Sequence, residues 1–586
     1  MAEILVSPGV LANENDQSFV TQQPVTLGAA LIGPTVKGPV EDPVLVTTFS
    51  DYSSRFGTSL QSGSGTYTPL TTLAAQNYFA NGGTSLTVAR TVPSASLWTF
   101  ATASVGTYIS HSFNGGSVLT SSVLTPGATN PQDGAQTFGN ITYYTASITI
   151  ESLDKGIEFN NSGSLLANDA LSTGSIDNIR WEVATSNTSS GLFSLVIRRG
   201  DDTDVNKVVL ETFSNLSLDE TQPNYISAVI GDQTRNYNLT ENYVEISGSH
   251  PNNSRYIRVK TVNRPTYNFL DNAGNARPQF TQSIPSLRSG SYAGAFAGGV
   301  GSNFQNQGIP AVGATNYYNA INSANTQGLV GKDYDNMISL LANQDDFSFN
   351  AIATPGIYYD DYSSQVTTII NNTQVRGDNL FILDLVAWGS TINNVVTEAG
   401  NLNSSYAATY WPWVRIRDAF ANKNVWVPAS TMIPGVYAYN DSVSEPWFAP
   451  AGINRGGLAT VITAERKVSS TNRDTLYEAN INPIATFPGT GVVVYGQKTL
   501  QRRASALDRV NVRRLLIALK SYISQIALGL VFDQNTIATR NNFLAAVNPY
   551  LESVQQRQGL YAFKVVMDSS NNTPDVIDRN QLIGQI

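Results

Sequence analysis

No cysteine occurs anywhere in the 586-residue chain, and histidine occurs only twice, at His111 and His250. The first absence excludes disulfides, thiolate nucleophiles and Cys-ligated zinc or iron–sulfur centres. The second leaves little for a transition-metal site, and any Ser–His–Asp triad must draw on these two residues. Both lie in a polar, β-patterned stretch, and no G-x-S-x-G elbow accompanies them. Charge is scarce as well: Asp, Glu, Lys and Arg make up 13% of residues, roughly half the share usual in soluble proteins. Ser, Thr, Asn, Gln and Gly take their place, and such a surface costs less to desolvate than an ionic one. A net charge of −9 lacks the basic footprint that nucleic-acid binding requires. Long apolar runs are missing too. The most apolar stretch, 515–532, is interrupted by Lys520, Ser521, Ser524 and Gln525, so no direct membrane insertion is expected. The first residues have no basic segment leading into an apolar one, so no signal peptide is read there. These features predict a soluble protein made in the cytoplasm.

What is present is enough apolar material, 41% of residues, to fill the cores of three or four domains. Residues 1–23 form an arm: the apolar run Ile4-Leu5-Val6, a Ser7-Pro8-Gly9 turn and a polar stretch, with too little apolar surface to bury itself. From 24 to 92 the pattern is α/β. Val44–Thr47 reads as a strand, Ser50-Asp51 caps a short helix ending at Gly57, and a second helix runs from Thr68-Pro69 to Asn81-Gly82-Gly83. A strand at Ser85–Val92 follows. Residues 93–330 switch to polar, alternating segments such as Tyr143–Ile150, Phe193–Ile197 and Val208–Phe213, which predict β structure. The Gly/Ser/Asn-rich run 278–328 reads as loop. Between 331 and 460, strand-length runs Phe347–Ala353 and Leu380–Val386 flank a helix over Asp361–Gln374, so 24–92 and 331–460 together predict a sheet between helices. The final block, 461–586, pairs a strand at Gly491–Tyr495 with a long helix over Asp508–Phe532. One face of that helix carries Val512, Leu515, Leu516, Leu519, Ile523, Ile526 and Leu530, and one flank carries Arg509, Arg513 and Lys520.

Several short motifs suggest chemistry and fail on inspection. Gly491–Thr499 nearly spells a phosphate loop, but Gln497 is one residue too many and Val-Val-Val-Tyr prefers a strand. Gly331-Lys332-Asp333 puts Asp where magnesium needs Ser or Thr. Asp201-Asp202-x-Asp204 lacks the Gly and distal Glu of a calcium loop. The Arg-Gly-Asp tripeptides at 199–201 and 376–378 are short enough to arise by chance and suit ordinary turns. No cofactor and no catalytic residue is expected.

The order of other segments carries more. Ser7-Pro8-Gly9-Val10, Gly33-Pro34, Lys37-Gly38-Pro39, Asp51-Tyr52, Arg55-Phe56-Gly57 and Tyr78–Gly83 with Val88-Ala89-Arg90 open the chain. Leu210–Phe213, Leu216–Asp219 and Asn224–Ile226 follow in the middle. Thr354-Pro355-Gly356, Arg376-Gly377-Asp378, Ile382-Leu383-Asp384, Ser404–Ala408, Tyr410–Trp413, Trp426–Ser430, Ala449–Gly452 and Asn454–Gly456 come next. Ile481–Ile484, Gly491–Gly496, Thr499-Leu500 and Val512–Leu516 close the series. In this order the motifs resemble the tail sheath proteins of contractile phages and related injection machines, along nearly the whole chain.

The resemblance implies an α/β fold, α+β overall, with a subtilisin-like core that lacks a catalytic triad. Onto it are set a β-rich, outward-facing insertion (93–330, possible as two subdomains) and a smaller α+β C-terminal domain (461–586) facing the tube. It implies a structural subunit, not an enzyme, that stacks as hexameric rings in a helical lattice around a tail tube. On this reading contraction drives the tube through the host envelope to deliver a genome. The expected partners are further copies of the chain, the tail tube protein, and baseplate and tail terminator proteins. The expected location is the virion tail, assembled in the host cytoplasm. The arm Ile4, Leu5, Val6, Ser7, Pro8, Gly9 and Val10 is expected to add a strand to a neighbouring subunit. Its 13-residue tether, 11–23, reaches at most roughly 45 Å. Arg509, Arg513 and Lys520 are expected to face the tube. Family members usually continue past Ile586 with a further apolar strand, so the natural polypeptide is expected to extend beyond it. A bacteriocin-like particle is the alternative setting; a hydrolase on the same core, or an adhesin using the tripeptides, are the competing classes.

Overall fold

The computed structural model describes residues 27–62, 65–94, 98–106, 111–112, 118–119, 135–138, 141–144, 146–161, 164–238, 240–281, 283–287, 294–301 and 317–586. The arm at Ile4–Val10 lies outside them. The chain divides into two compact units, one over Gly28–Arg514 and a second containing Leu515–Ile586.

The first unit is organised by an eight-stranded sheet. Its strands are β1 (Ala29–Gly33), β2 (Val44–Val46), β3 (Leu86–Arg90), β4 (Ala351–Tyr358), β5 (Leu380–Asp384), β6 (Ala407–Trp411), β7 (Asn482–Phe487) and β8 (Gly491–Val494). They lie in the order β2-β3-β1-β4-β5-β6-β7-β8. The six from β3 to β7 are parallel, with Ala29 opposite both Leu86 and Ala351, and Phe381 opposite Ala407. The edges β2 and β8 run antiparallel. Every residue of β1, β3, β4, β5 and β6 is buried. A parallel sheet covered on both faces needs such continuous apolar runs, which is why these segments do not alternate.

Helices α1 (Phe49–Phe56), α2 (Leu70–Ala80), α3 (Ser363–Arg376), α4 (Ile392–Ala399) and α5 (Ile433–Val443) connect the strands. The cap of α1 is Thr48, two residues before the expected Ser50: its hydroxyl accepts the Asp51 N–H at 3.0 Å. Asp51 instead sits in the first turn and pairs with Arg55 one turn on. Gly57 and Gly377 end α1 and α3 at φ 71° and 70°, as left-handed closing residues do. Thr354-Pro355-Gly356 lies inside β4, where the ladder with β5 shifts register between Ala353 and Tyr358 and Gly356 takes φ 98°. That irregularity is what admits a proline into a central strand.

Residues within 93–330 build a separate hydrophobic core around Trp181, Phe193, Leu195, Ile197, Ile257 and Phe296. Two three-stranded sheets frame it: Phe100–Val105, Ile148–Lys155 and Ile257–Val262, and then Ile179–Asn187, Leu192–Arg199 and Val209–Leu216. The expected single strand over Tyr143–Ile150 is two strands. Ile141–Tyr144 pairs with Ala135–Phe138, and a new strand starts at Ile148. The break falls at Ser147, whose carbonyl accepts the N–H groups of Asn263 and Arg264.

The expected boundary at residue 460 does not divide the sheet, since β7 and β8 both lie beyond it. The long C-terminal helix, α6 (Val510–Leu528), is shorter than Asp508–Phe532, and α7 (Ile537–Gln556) follows it. Its buried residues also differ from the expected stripe. Arg513, Arg514, Leu515, Ile517, Leu519 and Tyr522 are buried, while Val512, Leu516, Ile523 and Ile526 are only half-buried. A rotation of the buried face onto two arginines is invisible to apolar periodicity, because arginine counts as polar in that pattern.

Asp384, at the end of β5, is the most consequential buried acid of the sheet. It accepts the Ser430 N–H at 3.0 Å and the Ser430 hydroxyl, which fixes the segment after Pro428 against the strand ends. Burial pushes its carboxyl up to about 7, against the lowering effect of those two hydrogen bonds. A raised carboxyl stabilises the fold fully below its unfolded value of 3.8, and that contribution is lost as pH rises through about 7. Asp384→Asn removes the titration. We predict that the difference in urea-unfolding free energy between wild type and this variant changes between pH 4 and 7 by on the order of 1 kcal/mol per pH unit, the wild type losing stability. A pH-independent difference overturns the assignment.

Candidate assembly surfaces

Of the three cations expected on one flank, the structure exposes Lys520, half-buries Arg509 and encloses Arg513. Arg509 precedes α6, pairs with Asp508 at 3.2 Å and lies on the Tyr477 ring, to whose hydroxyl it donates. Arg513 turns inward. It is 4% exposed, donates to the Ser405 carbonyl at 3.1 Å and to the Ser405 hydroxyl, and stacks on Tyr406 at 3.9 Å. Burial pulls its pKa below the ordinary arginine value. Arg513 is therefore a core cation and not a surface contact. Lys520 lies in the second unit and is exposed.

Sequence reasoning gave Arg514 no role of its own; it is buried, pairs with the half-buried Asp441 of α5 (2.5 Å) and lies 4.6 Å from the Tyr437 ring. Burial works against its charge, but Asp441, Tyr437 and Tyr410 together hold its pKa above the usual value. No pattern in the sequence marked a partner 73 residues away.

The motifs that suggested chemistry are absorbed by the fold. Arg376 grips Asp378 with two nitrogens and donates to the carbonyls of Leu341, Asn343 and Phe347, so this tripeptide is a loop clamp. Arg199 pairs with its own Asp201 at 2.5 Å. Neither tripeptide offers the separated Arg and Asp that an adhesive loop presents. Around Asp201-Asp202-x-Asp204, the Arg198 guanidinium bonds Asp202 and Asp204 and fills the place a cation would take. No group of three or more metal-ligating side chains occurs among the described residues. In the phosphate-loop lookalike, Gly491–Val494 is strand β8, and the Lys498 amine donates to the Tyr477 carbonyl at 2.8 Å.

His250 does sit beside an acid, with Nδ1 3.0 Å from an Asp232 oxygen. The other Asp232 oxygen accepts the N–H groups of Ser249 and His250. Burial favours the neutral acid there, but the His250 ring and these N–H groups hold the carboxyl below its usual range. This closes a turn on the segment 231–253. The side chain of His111 is outside the described part.

Comparison with known proteins gives a match over part of the sheet. Residues 327–500 match the phage tail sheath protein central domain. The matched segment contains β4 to β8 and the Asp384–Ser430 contact. Over 196 residues the chain is 40% identical to the tail sheath protein of Vibrio phage KVP40, covering 33% of this chain and 29% of that one. Over 200 residues it is 37% identical to the tail sheath protein of Enterobacteria phage T4, covering 34% and 30%. The chain thus spans under a third of these relatives' own length in the matched regions. The crystal structure of a sheath tail protein from Listeria innocua aligns over 94% of this chain and 90% of its own, with a TM-score of 0.50 and 10% identity, which is a likeness of fold.

The Arg514–Asp441 pair yields a direct test. Asp441→Ala leaves a buried guanidinium without its carboxylate, and the expected cost is roughly 3 kcal/mol of unfolding free energy. Arg509→Ala, at a half-buried position where the side chain still reaches solvent, should cost less, about 1 kcal/mol. Equal effects in urea titrations contradict this division of roles.

Proposed function

We propose that the chain is the subunit of a contractile tail sheath. In this reading it polymerises as hexameric rings stacked helically around a tail tube, and the lattice shortens to drive the tube through the host envelope. The observation that carries the proposal is the match of 327–500 to the phage tail sheath central domain, a segment that supplies five strands of the eight-stranded sheet. The setting is the virion tail, assembled in the host cytoplasm, with tube, baseplate and terminator proteins as partners. A bacteriocin-like particle uses the same subunit chemistry.

Within this proposal the core descends from a subtilisin-like fold and serves as a scaffold without catalysis. Support comes from its parallel α/β sheet and from the engagement of His250 and Asp232 in a turn. Residues 93–330, with their own core, face outward, and within 461–586 the part beyond strand β8 faces the tube. Arg509 and Lys520 keep the tube-facing role first assigned to three cations, whereas Arg513 is enclosed. The arm Ile4–Val10 adds a strand to a neighbour, because strand addition needs backbone hydrogen bonds and little side-chain specificity.

Three experiments test the reading. Purified protein examined by negative-stain microscopy should form helical polymers; a monomer at every concentration tried argues against it. Deleting residues 1–12 should leave a folded, soluble subunit that no longer forms long sheaths, whereas sheaths that still assemble and contract intact exclude the arm as connector. Reversing Arg509 and Lys520 to Glu should weaken assembly on tubes at low salt and less so at high salt, since exposed pairs are screened.

A further inference from the structure

The molecule contains a second feature that the sheath reading does not use. A cavity of about 560 Å³ opens where the loop before β2 and helix α1 meet the strands of the 93–330 segment. It is within the size range of small-molecule sites. Six cations line it: Lys37 and Arg55 on the core side, and Lys155, Arg235, Arg255 and Arg258 on the other. Only two carboxylates, Asp42 and Asp154, share the lining. In a chain of net charge −9, the lining itself carries more cations than carboxylates.

The state of these groups sharpens the point. Burial pushes the Asp154 carboxyl up to about 7 against the pull of Arg90, Lys37 and Arg55, so it is half neutral near neutrality. Asp42 is also raised by burial, even though Arg235 lies 2.7 Å away. Most of the cations have carboxylate partners behind the wall. Arg55 and Arg255 reach Asp51, Arg258 reaches Glu151 and Lys37 reaches Asp177. Those pairs fix the cations in place while leaving the cavity itself lined by positive groups. Lys155 has no ion pair among the described residues. Its amine donates to Asn236 Oδ1 at 3.3 Å and lies over the Phe100 ring, and burial lowers its pKa despite Glu41 and Glu151.

A preorganised ring of cations around a wet, ligand-sized space favours a compact anion carrying several charges, because each oxygen gains a charge-assisted hydrogen bond without rearranging the wall. We propose that this cavity binds a multivalent phosphate-type anion, bridging the core and the 93–330 segment through Lys37 and Arg55 on one side and Lys155, Arg235 and Arg258 on the other.

The test is isothermal titration of the unpolymerised full chain at low salt with orthophosphate, pyrophosphate and inorganic triphosphate. Saturable binding that tightens along the series, and weakens with added salt, is expected. Lys155→Gln with Arg235→Gln should weaken triphosphate binding about tenfold for each charge removed. Because removing Arg235 also frees Asp42, a second variant, Asn253→Asp, keeps every cation and adds a negative charge to the lining; it should weaken binding too. The unliganded unfolding midpoint of each variant serves as the control for folding. No saturable triphosphate binding at about 1 mM, equal affinity for all three anions, or binding unchanged in both variants overturns the proposal.

Discussion

A parallel sheet covered on both faces offers its strand ends no water, and that constraint organises much of this structure. Every backbone donor or acceptor at those ends needs a partner from the protein itself. The partners are buried polar side chains placed at the crossings. Asn482 bridges three segments: its amide donates to the Thr409 and Lys498 carbonyls, and its oxygen accepts the Lys498 N–H. Gln327 accepts the Leu70 N–H at the start of α2 and donates to the Pro355 carbonyl in β4. Asn77 donates to the Met432 carbonyl beside α5. Asp384 performs the same task for Ser430. Removing any one leaves a buried group unpaired, which costs more than an ordinary hydrogen bond contributes.

The same logic explains where the scarce charge goes. Arg90, Arg180, Arg198, Arg376, Arg513 and Arg514 are each at most 9% exposed. Each is tied to carboxylates, carbonyls or hydroxyls, or stacked on an aromatic ring, so these guanidiniums act as multi-armed internal braces. Turning these six inward removes further charge from a surface already poor in it. A surface of that kind can be covered by further copies of the chain without stranding ions. The composition and the proposed polymer thus share one physical cause.

How far the sequence could be read depended on the range of the interaction. Strands β3 and β5 and helices α1 and α2 were legible because continuous apolar runs, turn glycines and caps are local, whereas β4 (Ala351–Tyr358) shares only 351–353 with the strand expected over Phe347–Ala353. The cap at Thr48 was misplaced by two residues because several hydroxyls and a carboxylate compete within one turn, and geometry alone chooses among them. The inward turn of Arg513 was not legible, since its partners Ser405 and Tyr406 are more than 100 residues away. The two-strand break at Ser147 depends likewise on Asn263 and Arg264.

Residue types, their order and their local periodicity were enough to predict an α/β sheet, a β-rich insertion and a likeness to tail sheath proteins. The absence of cysteine also excluded thiol and disulfide chemistry. The tertiary structure alone decided that β7 and β8 join the central sheet, that the flanking cations divide between core and surface, and that six cations converge on one cavity. Those outcomes are set by contacts between residues far apart in sequence, where the energy lies in burial and pairing and not in any property of the individual segments.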